Sequence, residues 1–191
     1  MKKILLINPP FNIEKDNYDS SVSVGLLSIA SFLDFNGVPV KIIDGVRQKN
    51  YKELLEECAK SYDVFAISVM TMQISNALDI SRNIKRMNPE SQIVWGGSHP
   101  TFFPEQTIKN DLIDIVSYGE GEETMLEIAQ EKPLESILGI LFKKRGETVI
   151  NPPRPLHDPT KMPLFNWELV PREILENLYI IPSLTSRGCP H

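Results

Sequence analysis

The sequence predicts an α/β fold: a doubly wound, five-stranded parallel sheet covered by helices on both faces, with an appended β-hairpin and an extended C-terminal segment. Three observations carry this expectation. Short apolar runs of strand length alternate with helical periodicities from Lys2 to Ala129, the signature of a parallel sheet built from crossover units. A chain of 191 residues, 41% hydrophobic and 24% charged, has the length and composition for one such domain with a buried core plus a tail. The alternation stops at Pro133, and the remainder of the chain has a different pattern.

Residues 2–7 form an apolar run of buried-strand type, closed by Asn8-Pro9-Pro10. Leu26, Ile29, Ala30 and Leu33 recur at i, i+3, i+4 and i+7 and mark a first helix, with Gly37 placed as its C-terminal cap. Residues 38–44 make a second strand, with Val40, Ile42 and Ile43 as its apolar members, and Leu54, Leu55, Cys58 and Ala59 mark one face of a second helix. Residues 64–69 are the third strand. Ile74, Ala77, Leu78, Ile84 and Met87 lie on a third helix whose last turn carries Lys85 and Arg86, where cations suit the helix dipole. Residues 92–95 and 113–118 supply strands four and five, separated by a short helical stretch at 104–109, and residues 122–129 form a fifth helix.

Past Pro133, residues 137–143 and 148–151 joined through Arg145-Gly146 form a hairpin. Pro152, Pro153, Pro155, Pro159 and Pro163 then punctuate an extended linker of polyproline II character. A short helix is expected at 168–178 and a strand at 179–184, running into Ser186-Arg187-Gly188-Cys189-Pro190. These breaks divide the chain into an α/β domain over residues 1–133, a hairpin extension over 134–151 and a linker over 152–191.

In open parallel sheets ligands bind beyond the carboxyl ends of the strands, where strand order reverses. The unusual residues of this sequence fall at those ends: Asn8-Pro9-Pro10, Ser68-Val69-Met70-Thr71, Gly96-Gly97-Ser98-His99-Pro100-Thr101 and Gly119-Glu120-Gly121-Glu122. A strand order of 2-1-3-4-5 gathers all four on one rim. Each also has a plainer reading. Gly96-Gly97 is either a tight turn or a place where a large ligand approaches the backbone. Asn8-Pro9-Pro10 either ends a strand or builds a rigid wall. The glutamates near Gly119 and Gly121 suit a helix N-terminus as well as a ligand contact, and would repel an anion. Ser68 and Thr71 fit local capping and ligand contact equally. His99, in a rim loop, is better suited to a contact or packing role than to metal ligation; His157 has no partner at metal-ligand spacing. Cys58, on an apolar helix face, reads as core.

Several function classes are excluded. No G-x-G-x-x-G follows the first strand and no G-x-x-x-x-G-K-[ST] occurs. The acidic residues of a phosphoacceptor domain and the hydroxyl-rich loop of a flavodoxin-type flavin site are replaced by Asn8-Pro9-Pro10. A net charge of −5 without a Lys/Arg block leaves no nucleic-acid footprint. Two cysteines make no disulfide framework, no apolar stretch has the length of a membrane span, and the N-terminal apolar run is too short for a signal peptide; a cytoplasmic protein is expected.

Together these segments resemble the N-terminal region of cobalamin-dependent radical S-adenosylmethionine (SAM) proteins. The resemblance runs over almost the whole chain and rests on Asn8-Pro9-Pro10, Gly25-Leu26-Leu27-Ser28-Ile29-Ala30, Gly37-x-x-Val40 with Asp44, Ile67-Ser68-Val69-Met70-Thr71-x-Gln73, Trp95-Gly96-Gly97-Ser98-His99-Pro100-Thr101, Gly119-Glu120-Gly121-Glu122 and Ser186-Arg187-Gly188-Cys189-Pro190. It implies a flavodoxin-like or Rossmann-like B12-binding fold that holds cobalamin. The benzimidazole tail would lie near Ser68, Thr71, Gly96 and Gly97, and Asn8, Pro9, Pro10, Gln73, His99, Gly119, Glu120 and Gly121 complete the expected contact set. Cobalt would lack a protein imidazole, because Asn8-Pro9-Pro10-Phe11-Asn12 stands where the methionine-synthase type carries D-x-H-x-x-G.

The resemblance also implies that Cys189 is the first ligand of a C-x-x-x-C-x-x-C [4Fe–4S] motif, the chain being cut there from a barrel that would bind SAM. Without the other two cysteines the fragment is expected not to catalyse by itself, and the segment after Pro152 is expected to lack its packing partner. The full protein would be a methyltransferase or a ring-forming enzyme. A cofactor-free scaffold docked on the barrel and an unrelated flavodoxin-like ligand-binding module are the competing readings.

Overall fold

The computed structural model describes residues 1–11 and 22–183. Its elements in chain order are β1 (Ile4–Asn8), α1 (Val24–Phe35), β2 (Val40–Asp44), α2 (Tyr51–Cys58), β3 (Val64–Ser68), a 3-10 turn (Thr71–Gln73), α3 (Ile74–Met87), β4 (Gln92–Gly96), α4 (Ser98–Phe102), α5 (Pro104–Ile108), β5 (Ile115–Ser117) and α6 (Glu122–Ala129). After a 3-10 turn (Leu134–Ser136) come β6 (Ile140–Lys144) and β7 (Glu147–Ile150), then 3-10 turns at Pro159–Lys161 and Trp167–Leu169, and α7 (Arg172–Leu175).

The strands form one sheet in the order β2-β1-β3-β4-β5-β6-β7. The first five are parallel in the expected order 2-1-3-4-5, with Ile4 paired to both Val40 and Val64. Strand order therefore reverses beside β1, and the crevice between β1 and β3 lies at the switch point. The strand count exceeds the expected five. β6 pairs antiparallel with β5, Val116 opposite Leu141, and β7 pairs antiparallel with β6, so the hairpin continues the sheet. Arg145 and Gly146, at φ of 52° and 85°, make the tight turn that joins them.

Alternation along the strands feeds two cores. Ile4 and Leu6 of β1 join Ala66, Val94, Ile115 and Phe142 on the face covered by α1 and α6. Leu5 and Ile7 join Phe65, Ile67, Trp95 and Leu141 on the face covered by α2, α3 and α5. Trp95 is fully buried, and its indole N–H donates to Ser81 Oγ at 3.0 Å. Helix α1 ends in a complete Schellman motif. Gly37, at φ 72°, donates to Asp34 O at 2.9 Å and Val38 donates to Leu33 O at 3.0 Å.

Two expectations at local level are corrected. The stretch after Gly97 is not a loop, because Ser98 opens α4 and Pro100 sits in its first turn, where a missing N–H costs no helical hydrogen bond. The strand expected at 179–184 is not formed over its described part, residues 179–183; Leu184 lies outside the described residues. The linker also packs. Val170 and Ile174 are buried in the α1-side core, and Gln48 donates to Glu173 Oε1 at 2.6 Å. Among the described residues no helix is long and apolar enough to cross a membrane.

Candidate functional site

A cavity of about 170 Å³ opens at the carboxyl ends of the parallel strands, between the sheet and the N-terminal turns of α1 and α6. Its floor comes from Leu6 of β1, Ala66–Ser68 of β3, and Val94 and Gly96 of β4. Gly25, Leu26 and Ile29 of α1 form one wall, and Gly121, Glu122 and Met125 the other, with Gly97, Ser117 and Gly119 at the end. Such a mainly apolar slot with a few polar groups suits a flat organic group that carries polar attachments.

The glycines differ in what they permit. Gly97 has φ +95°, and a Cβ there would lie 2.8 Å from Val69 N and 3.1 Å from Ser68 Oγ. Its lack of a side chain lets β4 turn back over β3, where Val69 donates to Gly96 O at 2.8 Å and His99 donates to Val69 O at 3.0 Å. A Cβ on Gly96 would meet Ser117 O at an ordinary 3.7 Å, and one on Gly25 would meet nothing within 4 Å.

Beside the cavity, polar side chains fasten the loop after β1. Gln73, 1% exposed, donates from Nε2 to Asn8 Oδ1 at 3.0 Å and to Pro9 O at 2.5 Å, while its Oε1 accepts from the Met70 N–H at 2.9 Å. Asn8 passes the chain on, donating from Nδ2 to Asp44 Oδ1 at 3.0 Å. Asn76 donates to Pro10 O at 2.8 Å. Burial pushes the Asp44 carboxyl above the ordinary aspartate range, against hydrogen bonds from the Val46 N–H and Asn8 that pull it down. The two prolines are thereby held as a stiff wall at the switch point.

On the same rim, His99 is 9% exposed; its Nδ1 lies 3.2 Å from Thr71 Oγ1 and its ring packs on Phe103 at 5.3 Å between centroids. Burial holds its pKa below the ordinary histidine value. Met70, Met72, Phe102 and Phe103 are exposed around this pair and give the rim an apolar surface.

The first turn of α6 has two sides. Glu122, 1% exposed, turns into the cavity wall and accepts from Ser28 Oγ at 2.7 Å. Glu120 accepts from the His157 backbone N–H at 2.6 Å, and Glu123 meets His157 Nδ1 at 2.9 Å and Arg154 Nη1 at 2.7 Å. Arg154 also pairs with Glu127 and donates to Thr124 Oγ1 at 3.1 Å, so residues 152–158 are strapped across the helix.

Of the residues predicted for the site, Ser68, Gly96, Gly97, Gly119 and Gly121 line the cavity. Asn8, Pro9, Pro10, Thr71, Gln73 and His99 gather next to it as the fastened rim, and Glu120 faces the strap. Cys189 lies outside the described residues, as does Asn12. Cys58 is buried, with Lys41 Nζ 3.6 Å from its sulfur. Among the described residues no cluster of His, Cys, Asp or Glu could hold a metal ion. Sequence reasoning missed the inward turn of Glu122, which spacing cannot tell from a cap, and the pairing of His157 with Glu123, since the two are far apart in the chain.

A family model described as B12 binding domain matches residues 18–129. Among curated proteins, the chain is 31% identical over 200 aligned residues to the uncharacterized methyltransferase PH0819 of Pyrococcus horikoshii, an alignment that covers 98% of this chain and 43% of that protein. It is 25% identical over 183 residues to the cytidylyl-2-hydroxyethylphosphonate methyltransferase of Streptomyces wedmorensis, covering 81% of this chain and 34% of that one. The chain thus spans less than half the length of either relative. Among solved structures, the apo form of the cobalamin-dependent SAM radical enzyme OxsB superposes with a TM-score of 0.78 at 22% identity, over 99% of this chain and 27% of that chain. The radical SAM methyltransferase TsrM of Kitasatospora setae, with cobalamin and a [4Fe-4S] cluster bound, gives a TM-score of 0.67 at 18% identity, over 85% of this chain and 31% of that chain. At these identities the likeness to the two enzymes is one of fold.

Proposed function

The chain belongs to the B12-binding domain family, and from that premise we propose that its strand-end cavity receives the nucleotide tail of cobalamin, within a larger radical SAM methyltransferase. The observation that carries this reading is the cavity itself. It lies at the switch point of the sheet, has a mainly apolar lining, and is bordered by glycines whose missing side chains leave room for a flat aromatic group.

The residues present fit that group. Leu6, Leu26, Ile29 and Met125 offer apolar walls to an aromatic base, Ser68 and Ser117 offer polar contacts to its sugar and phosphate attachments, and Glu122 offers an acceptor to the sugar hydroxyls. The rim fastened by Gln73 and the exposed side chains of Met70, Met72 and Phe102 would bear on the broad corrin face. Bound cobalamin supplies a cobalt centre that takes up and gives up a methyl group. The part played by this chain is to bury the tail, hold the prolines rigid and shield one face from water.

Among the described residues no imidazole is assigned to the cobalt. The place after β1 holds Asn8-Pro9-Pro10, the His99 ring is committed to Thr71 and Phe103, and His157 faces Glu123. Cys189 is proposed as the first ligand of a [4Fe–4S] cluster completed by cysteines of the larger protein, where SAM would also bind. The two curated relatives, both named as methyltransferases, support methyl transfer over ring formation.

Titration of the chain with hydroxocobalamin, followed by visible spectrum and calorimetry, tests the reading. Saturable binding with a base-off spectrum is expected. Gly25→Leu puts a side chain at the cavity mouth where a Cβ meets nothing, and leucine favours the helix over glycine, so the fold should persist while affinity falls at least about tenfold. Absence of binding in the wild-type chain at high cobalamin concentration would overturn the proposal in favour of a cofactor-free scaffold.

A further inference from the structure

We infer that Glu122 reads the nucleotide tail: its carboxyl group, held in the cavity wall by Ser28, accepts a hydrogen bond from a donor on the ribose or on the protonated base. The inference rests on the reading of the cavity as the tail site.

A glutamate at the start of α6 is ordinary helix chemistry, since an acidic side chain there suits the dipole. That preference is met by a carboxyl facing solvent, as the neighbouring Glu123 in part does, with 42% of its side chain exposed. It does not account for Glu122, which is 1% exposed and lines the cavity together with Leu26, Ile29 and Met125. Placing a carboxyl among apolar groups is costly unless hydrogen bonds are made there.

One such bond is present, from Ser28 Oγ to Glu122 Oε1 at 2.7 Å, and Ser28 is itself 2% exposed. Both side chains are thus fixed before any ligand arrives. A carboxyl has about four acceptor positions and can take several donors at once, and this one borders the cavity. The other polar side chains lining it, Ser68 and Ser117, are hydroxyls that can donate or accept; Glu122 is the carboxyl among the lining residues. In a low-dielectric slot a preorganised acceptor discriminates strongly between a ligand that brings a donor and one that does not.

On a cobalamin tail the available donors are the ribose hydroxyls and, once the base is off cobalt and protonated, the ring N–H of the benzimidazole. The neutral base has none. Glu122 would therefore favour corrinoids with a complete nucleotide over those lacking it.

The test compares cobalamin with cobinamide, which has no nucleotide, on the wild-type chain and on Glu122→Leu and Glu122→Gln, with affinity read by visible titration. Glu122→Leu should weaken cobalamin binding about tenfold, the size of one hydrogen bond to a carboxyl, and leave cobinamide binding unchanged. Glu122→Gln separates the sources. Its side-chain oxygen still accepts from a ribose hydroxyl, so affinity is kept if the sugar is the donor. If the protonated base is the donor, affinity falls, and the loss of wild-type affinity with rising pH disappears in the variant.

A Leu variant that melts like the wild type and binds cobalamin within twofold of it overturns the inference and leaves the cofactor reading intact. Should the Leu variant fail to fold, a Gln variant whose affinities for cobalamin and cobinamide fall equally overturns it as well. A wild-type chain that binds neither corrinoid overturns the cofactor reading, and this inference with it.

Discussion

Gln73 donates from its side-chain nitrogen to Asn8 Oδ1 at 3.0 Å, joining the turn after β3 to the end of β1 across the point where the sheet reverses. Its remaining bonds, to Pro9 O and from the Met70 N–H, are also to groups at the rim. Gln73→Leu would leave Asn8 Oδ1, the Pro9 carbonyl and the Met70 N–H without this partner at a largely covered rim. Destabilisation of about 2–4 kcal/mol is expected, read as a lowered urea midpoint at unchanged slope. A loss below ~0.5 kcal/mol would mean that water replaces all three contacts.

Gly96 and Gly97 should respond differently to alanine. At Gly97 the new Cβ meets backbone at 2.8 Å on a residue with φ +95°, and about 1–3 kcal/mol of strain is expected. At Gly96 the nearest atom is at 3.7 Å, and the cost should stay under ~1 kcal/mol. Thermal melts of the two variants check the contrast, and equal melting temperatures would contradict the geometry.

Stability should carry a signature of Asp44 as pH changes. Burial raises its folded-state pKa above the unfolded value, so the native state binds the extra proton between the two. Stability from this group is therefore greatest at low pH and falls as pH rises from the ordinary aspartate range through the raised folded value, then levels off. Asp44→Asn keeps an oxygen for the Val46 N–H and the Asn8 side chain but cannot titrate. Its stability relative to wild type should grow over that window, measured by urea midpoints across pH; parallel profiles for the two proteins would refute the assignment.

Arg154 is the fastening of the strap, with 8% of its side chain exposed between Glu123 and Glu127. Arg154→Met would remove the cation and leave two carboxylates facing each other. Because Glu123 is partly solvated, a loss of about 1–3 kcal/mol is expected, less than for a fully buried pair. Limited proteolysis should cut faster within residues 152–158, and an unchanged cleavage rate would show the strap to be held by other contacts.

The parallel sheet and its order were legible because each strand is a short apolar run and each helix has its own periodicity. Helix α6 is formed with the expected bounds, and Gly37 caps α1 as its position suggested. The illegible part depends on distant pairing. Whether the hairpin stood apart or continued the sheet turns on the pairing of Val116 with Leu141, which no local pattern records. Helix α4 was hidden because Gly96-Gly97 and Pro100 are turn signals, although proline is welcome in a first helical turn. The candidate site was legible only as a rim: the structure puts the glycines and Ser68 on the cavity, while the division of labour between Gln73 as fastener and Glu122 as lining residue required the fold.

Four consecutive residues, Glu120 to Glu123, serve two neighbours by turns: Glu120 and Glu123 grip the strap, while Gly121 and Glu122 border the cavity. On a helix start this assignment is a matter of phase. Inserting or deleting one residue between Glu122 and Thr124 would turn the helix start by about 100° against the rest of α6 and break this allotment of clasp and wall. Wherever natural variation adds or removes residues in a chain of this kind, this run leaves it no slack.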